Sequence, residues 1–102
     1  LNFLYKVHAP GSPVTHVVAM IDLGLPADQA LAAPRFHHQW MPDELKIESS
    51  FGQQTLDQVA AYGHSLAPSA GFGACQCVTF DMAHGVFVPV HDPRIPGKAD
   101  GL

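Results

Sequence analysis

Ala74-Cys75-Gln76-Cys77-Val78-Thr79-Phe80 decides the fold class, because its apolar residues fall on both alternating faces, as they do in a strand covered on both sides. Val86-Phe87-Val88-Pro89-Val90-His91 follows as a second strand, and the loop between them, Asp81 to Gly85, has hairpin length and ends on glycine. Pro89 removes one ladder donor, which suits an edge strand or a bulge. Cys75 and Cys77 stand at i and i+2, on one side of the first strand and too close in sequence for an unstrained bridge. They read as two buried thiols.

Working back from this pair, Leu56, Val59, Ala60 and Gly63 form one helical stripe, with Gly63 suited to the C-terminal cap. With Gly52 as N-cap, Phe51 and Leu56 take the two positions of a hydrophobic staple. Leu45 to Glu48 alternates apolar and charged residues like a short, half-exposed strand. Pro34 to Pro42 carries too many aromatics and imidazoles for a simple loop and reads as an ordered connection. Pro26 opens a short helix with Asp28 in its first turn and Ala27, Ala30 and Leu31 on one face, ended by Pro34. Ser12 can cap an earlier helix with Pro13 at its first position and Val14, Val17, Val18 and Ile21 as its stripe, stopped by Gly24. Its β-branched content leaves a strand as the alternative. Before Ser12 no start or stop signal is legible. Helices followed by an antiparallel pair make the chain α+β, with helices packed on a sheet.

The 102 residues are 47% hydrophobic and 14% charged, against about a quarter charged in an ordinary soluble domain, so much surface is expected to face another chain. A net charge of -4 with five Lys and Arg offers no basic patch, which argues against nucleic acid. The longest apolar run, Val17 to Ile21, is far short of the roughly 20 residues that cross a bilayer. No membrane association is expected.

The string Ala33-Pro34-Arg35-Phe36-His37-His38-Gln39-Trp40-Met41-Pro42-Asp43-Glu44-Leu45 closely resembles one carried by the γ-glutamyltransferase (γ-glutamyltranspeptidase) family. The resemblance continues in order through Ile21-Asp22 and Gly24 before it, and Gly63-His64, Gly73 to Gln76 and Asp92-Pro93-Arg94 after it. It runs from about Val14 to Leu102. The chain then reads as a single partial domain, with 1–13 an atypical N-terminal segment and 14–102 the matching region.

The resemblance implies the C-terminal portion of an αββα sandwich of the N-terminal nucleophile hydrolase type, in which a precursor cleaves itself into large and small subunits. It also implies transfer of a γ-glutamyl group from a glutathione-like donor to water or an amino acid. The implied nucleophile is a Thr at the small subunit's own N-terminus, because its α-amine, of pKa near 8, can act as base for its hydroxyl. Val14-Thr15-His16 is similar to the family's Thr-Thr-His motif but lies only a few residues before Ile21-Asp22, where the family has a long stretch. Thr15 therefore reads as a helical residue, and Thr55 and Thr79 as structural ones. No catalytic residue is expected in this chain.

Pro10-Gly11-Ser12 resembles the family's Pro-Gly-Gly oxyanion loop, with Ser in place of the second Gly and a shorter distance to Ile21-Asp22. Gly11 and Ser12 are the candidate remnant of that loop, with a turn and a helix cap as the other reading. Arg35 and Arg94 each need acceptors for a five-donor fork and read as structural struts near the family's site. His37 and His38 are adjacent, with rings on opposite sides of an extended chain, a poor pair for one metal. No metal and no cofactor are expected. The implied partners are the rest of the small subunit and the large subunit of the same precursor, with self-association if the chain is isolated. A periplasmic or secreted location is implied by the resemblance alone. The alternative is a free-standing, non-catalytic α+β module serving binding or assembly.

Overall fold

The computed structural model describes residues 3–7 and 12–99, with side chains described from residue 15 onward. In chain order the elements are β1 (Phe3–Val7), α1 (Ser12–Ile21), α2 (Ala27–Ala32), β2 (Phe36–His37), β3 (Leu45–Glu48), a 3-10 turn (Ser49–Phe51), α3 (Gln53–Ala61), β4 (Leu66–Ser69), β5 (Cys75–Asp81) and β6 (Val86–His91). The chain is α+β. Its contacts divide it into two compact units, one formed by Pro34–Phe72 and the other by the segments on either side of it.

In the two-segment unit the sheet runs β1-β5-β6 and is antiparallel throughout, with Val7 opposite Cys75 and Val90 opposite Cys77. Cys75 and Cys77 share a face of β5, and that face meets Ala19 and Met20 of α1 and Ala27, Ala30 and Leu31 of α2 in one buried cluster. Leu31 is wholly buried, and side chains of its size contribute about 1.5–3 kcal/mol each when removed from water. The second helix behaves as its sequence suggests, with Pro26 at its N-cap and Ala27, Ala30 and Leu31 as its buried face. β6 forms the edge of this described sheet, where Pro89 is tolerated opposite Val78.

The first helix forms, but it turns a different face inward. His16, Ala19 and Met20 are buried, whereas Val18 and Ile21 of the expected stripe are 42% and 60% exposed. The buried face therefore combines His16 with Ala19 and Met20, while Val17 is half-buried and Val18 and Ile21 are exposed. Gly24, at φ 68, ends the helix in a conformation that costs glycine little, and the Leu25 N–H reaches back to the Ala19 carbonyl at 3.0 Å.

In the central unit β3 is flanked by β2, antiparallel, and by β4, parallel. Parallel neighbours need a crossover of a dozen residues or more, which the stretch carrying α3 supplies. β4 is not apparent in the sequence because Pro68 interrupts it, yet an edge strand accepts a proline. The stripe of α3 is narrower than expected: Leu56 is buried, Val59 is half-buried and Ala60 is exposed. The ring of Phe51 lies 6.4 Å from that of Phe36. Gly63 follows the C-cap at φ 98 and donates to the Ala60 carbonyl at 2.9 Å, which is the expected stop. The one reversal in β3 is Glu48, which is only 1% exposed rather than on a solvated face.

Candidate functional site

Glu48 is buried because the ends of the central unit converge on it. Its Oε2 accepts the Arg35 backbone N–H at 3.0 Å, and its Oε1 accepts the Phe72 N–H at 3.3 Å. Arg35, itself 2% exposed, donates from Nη1 to the Phe72 carbonyl at 3.2 Å. One carboxylate and one guanidinium thus hold both polar groups of Phe72, the residue at which this unit closes. A carboxylate meets this need well, since each oxygen accepts without a competing donor. Lys46 adds a cation over the Phe72 ring, 5.2 Å from its centroid.

A second cluster of the same kind lies in the two-segment unit. Asp92 is wholly buried; its Oδ2 accepts the Cys75 N–H at 2.9 Å and its Oδ1 the Arg94 N–H at 3.0 Å. The Arg94 fork donates from Nη1 to the Leu31 carbonyl at 2.6 Å and to Asp92 Oδ1 at 3.3 Å, and from Nη2 to the Ala33 carbonyl at 2.8 Å. The end of α2 leaves carbonyls without intrahelical partners, and a cation is favoured there. The first cluster joins Arg35 and Phe72 within the central unit, and the second joins Leu31, Ala33, Cys75, Asp92 and Arg94 within the two-segment unit. Arg35 and Arg94 were identifiable from sequence by their need for acceptors. Glu48 and Asp92 were not singled out: Asp92 had a local signal in its i, i+2 spacing from Arg94, whereas Glu48 had none, its partners being 13 and 24 residues away.

Pro10 and Gly11 lie outside the described residues, and of Ser12 only the backbone, at the start of α1, is described. Thr15 lies within α1 and Thr55 within α3. Thr79 is on β5 and directs its hydroxyl to the Val88 carbonyl at 3.4 Å. An open groove of about 540 Å³ between the start of α2 and β6 includes Asp28, Thr79, Val88 and His91. His91 is already engaged there, by Gln76 at Nδ1 (3.3 Å) and by the Ile95 carbonyl at Nε2 (2.7 Å). The Thr79 hydroxyl and His91 of this groove are thus each engaged by a partner other than one another. Burial, and then the neighbouring Cys75, push the Cys77 thiol up from its ordinary pKa, so it resists forming the thiolate that a nucleophile requires. On the hairpin turn, His84 lies 2.6 Å from Asp81 and holds that carboxyl below its ordinary pKa, helped by the His84 and Ala83 backbone N–H groups. Among the described residues no three His, Cys, Asp or Glu gather as a metal site.

The family model for γ-glutamyltranspeptidase matches residues 9–102. The chain is 41% identical over 78 residues to the glutathione hydrolase proenzyme of Escherichia coli strain K12, covering 76% of this chain and 13% of that protein. It is 35% identical over 79 residues to scoloptoxin SSD14 of Scolopendra dehaani, covering 78% of this chain and 14% of that protein. The chain thus spans about an eighth to a seventh of the length of these relatives. Among solved structures, γ-glutamyltranspeptidase of Helicobacter pylori superposes with a TM-score of 0.76 at 26% identity, over 91% of this chain and 53% of that one. The enzyme of Pseudomonas nitroreducens gives 0.83 at 23% identity, over 98% and 55%. These likenesses assign the α+β elements to the N-terminal nucleophile hydrolase type of fold. With nearly the whole chain matched by the family model, the chain belongs to the γ-glutamyltranspeptidase family.

Proposed function

We propose that this chain is the C-terminal segment of the small subunit of a γ-glutamyltransferase, which passes the γ-glutamyl group of a glutathione-like donor to water or an amino acid through an acyl-threonine. The nucleophile lies outside these 102 residues. The observation that carries the proposal is the family match over 9–102 combined with coverage of only 13% of the E. coli relative. The placement of Thr15, Thr55 and Thr79 inside regular elements supports it, because a threonine whose nitrogen is in a peptide bond has no α-amine to serve as base.

In this reading the segment positions rather than reacts. Arg35 and Arg94 act as struts through Glu48 and Asp92, and Gly11 and Ser12 are the remnant of an oxyanion loop, whose donors commonly contribute about 3 kcal/mol to the transition state. The rest of the small subunit and the large subunit of the same precursor are the proposed partners. Apolar side chains left exposed support this: Val18 and Ile21 on α1, and Val86, Phe87 and Val88 on the edge strand β6.

Two measurements on the isolated chain test the proposal. It should release no product from a chromogenic γ-glutamyl anilide above the blank, and turnover abolished by Thr15→Ala would overturn the assignment of the nucleophile elsewhere. It should also self-associate, giving a dimer or larger species by light scattering across a concentration series. A stable monomer at high concentration, binding no dye specific for apolar surface, is instead the behaviour of a free-standing module.

A further inference from the structure

Trp40 is the single tryptophan of the chain and is 75% exposed in the loop after β2, with Met41 next to it 64% exposed. Its backbone takes φ 73, a left-handed conformation that is unfavourable for a residue with a bulky side chain. Such a conformation persists when surrounding contacts hold it, and here the contacts come from the loop's own side chains. The Trp40 N–H donates to Nδ1 of His38 at 3.1 Å, and Nε2 of the same ring lies 3.2 Å from Asp43 Oδ1. On the other side, His37 Nε2 lies 3.3 Å from Gln39 Oε1, and Gln39 Nε2 donates to the Met41 carbonyl at 2.9 Å.

This pattern defines the protonation state of His38 on which the loop depends. A ring nitrogen that accepts a backbone N–H carries no proton, so Nδ1 is bare and Nε2 holds the hydrogen directed at Asp43. A second proton turns Nδ1 into a donor facing the Trp40 N–H. Both nitrogens of an imidazolium are donors, so rotating the ring restores no acceptor. Asp43 is the charged side chain in contact with this ring; His37 is directed to Gln39 instead, and Glu44 meets Pro42 through its backbone N–H. The Asp43 carboxylate attracts the charged ring, keeping it near the loop while the Trp40 bond is lost.

We infer that His38 is a proton-controlled latch on the Trp40–Met41 tip. Neutral His38 holds the tip out in a fixed conformation, and protonated His38 releases the Trp40 backbone. The direction follows from the bond: it needs the bare Nδ1 of the neutral ring and is lost when that nitrogen takes up a proton. This inference concerns a loop that the proposed function does not use and holds whether or not that reading does.

Because Trp40 is the single tryptophan, its near-ultraviolet circular dichroism band reports on the tip directly. In the full chain the band should disappear reversibly on acidification, with the far-ultraviolet spectrum unchanged. His38→Asn places an amide oxygen where Nδ1 stood, a permanent acceptor, and should keep the band throughout. His38→Ala removes the acceptor and should lack the band throughout, while His37→Asn should keep the wild-type transition. A wild-type band that survives acidification overturns the latch, as does a His38→Ala band equal to that of the wild type before acidification or a His38→Asn band lost over the wild-type range.

Discussion

Asp92→Ala lowers the unfolding free energy of the chain by about 3 to 5 kcal/mol, the usual cost of breaking a buried ion pair from one side. The carboxylate is wholly buried and accepts N–H groups from Cys75 and Arg94, and its removal leaves the Arg94 guanidinium, 15% exposed, without that counter-charge. The loss is large beside the roughly 5–15 kcal/mol that holds a domain folded. Asp92→Asn does not rescue, because it loses the charge and its amide nitrogen sets a donor against either the Cys75 or the Arg94 N–H. Urea unfolding reads both. A midpoint for Asp92→Ala equal to that of the parent chain would show that Arg94 and the Cys75 N–H find other acceptors at no cost.

Glu48→Ala acts on the central unit and costs about 2 to 5 kcal/mol, since two N–H groups lose their acceptor and each costs roughly 1–3 kcal/mol if it stays buried and unsatisfied. Those groups belong to Arg35 and Phe72, which stand at the two ends of the unit. The expected signature is therefore local as well as global: hydrogen exchange at the Arg35 and Phe72 amides accelerates more than exchange within β5 and β6. Glu48→Gln does not rescue, because its amide nitrogen sets a donor against one of the two N–H groups. Exchange at Phe72 unchanged in Glu48→Ala would remove Glu48 from the role given to it.

The difference in legibility between these two acids has a physical origin. α2 and β6 were legible in the sequence because their signals are local: Pro26 at a cap, an i, i+3, i+4 face, a strand bounded by Gly85 and by Asp92-Pro93. β4 was hidden because its partner among the described residues is β3, 21 residues earlier at the register pair Leu45 and Leu66, and because Pro68 reads as a breaker. α1 was legible as a possible helix and misread as a surface, since periodicity identifies an apolar stripe but not which stripe meets the sheet. The arginines were legible by the demand of a guanidinium for acceptors. What satisfies them was not, because backbone carbonyls at Leu31, Ala33 and Phe72 carry no mark in the sequence. The family string from Ala33 to Leu45 was the most specific signal, and it includes Arg35 and the His38–Trp40 loop together.

The most direct test of the account is the identity of the native polypeptide that carries this sequence. Capture from its source with an antibody against residues of the α3 segment, followed by intact mass and N-terminal sequencing, reads it in one experiment. The account predicts a chain well above 10.9 kDa that begins with threonine and co-purifies with a second, larger subunit. A native 10.9 kDa polypeptide, monomeric and without such a companion, would contradict it.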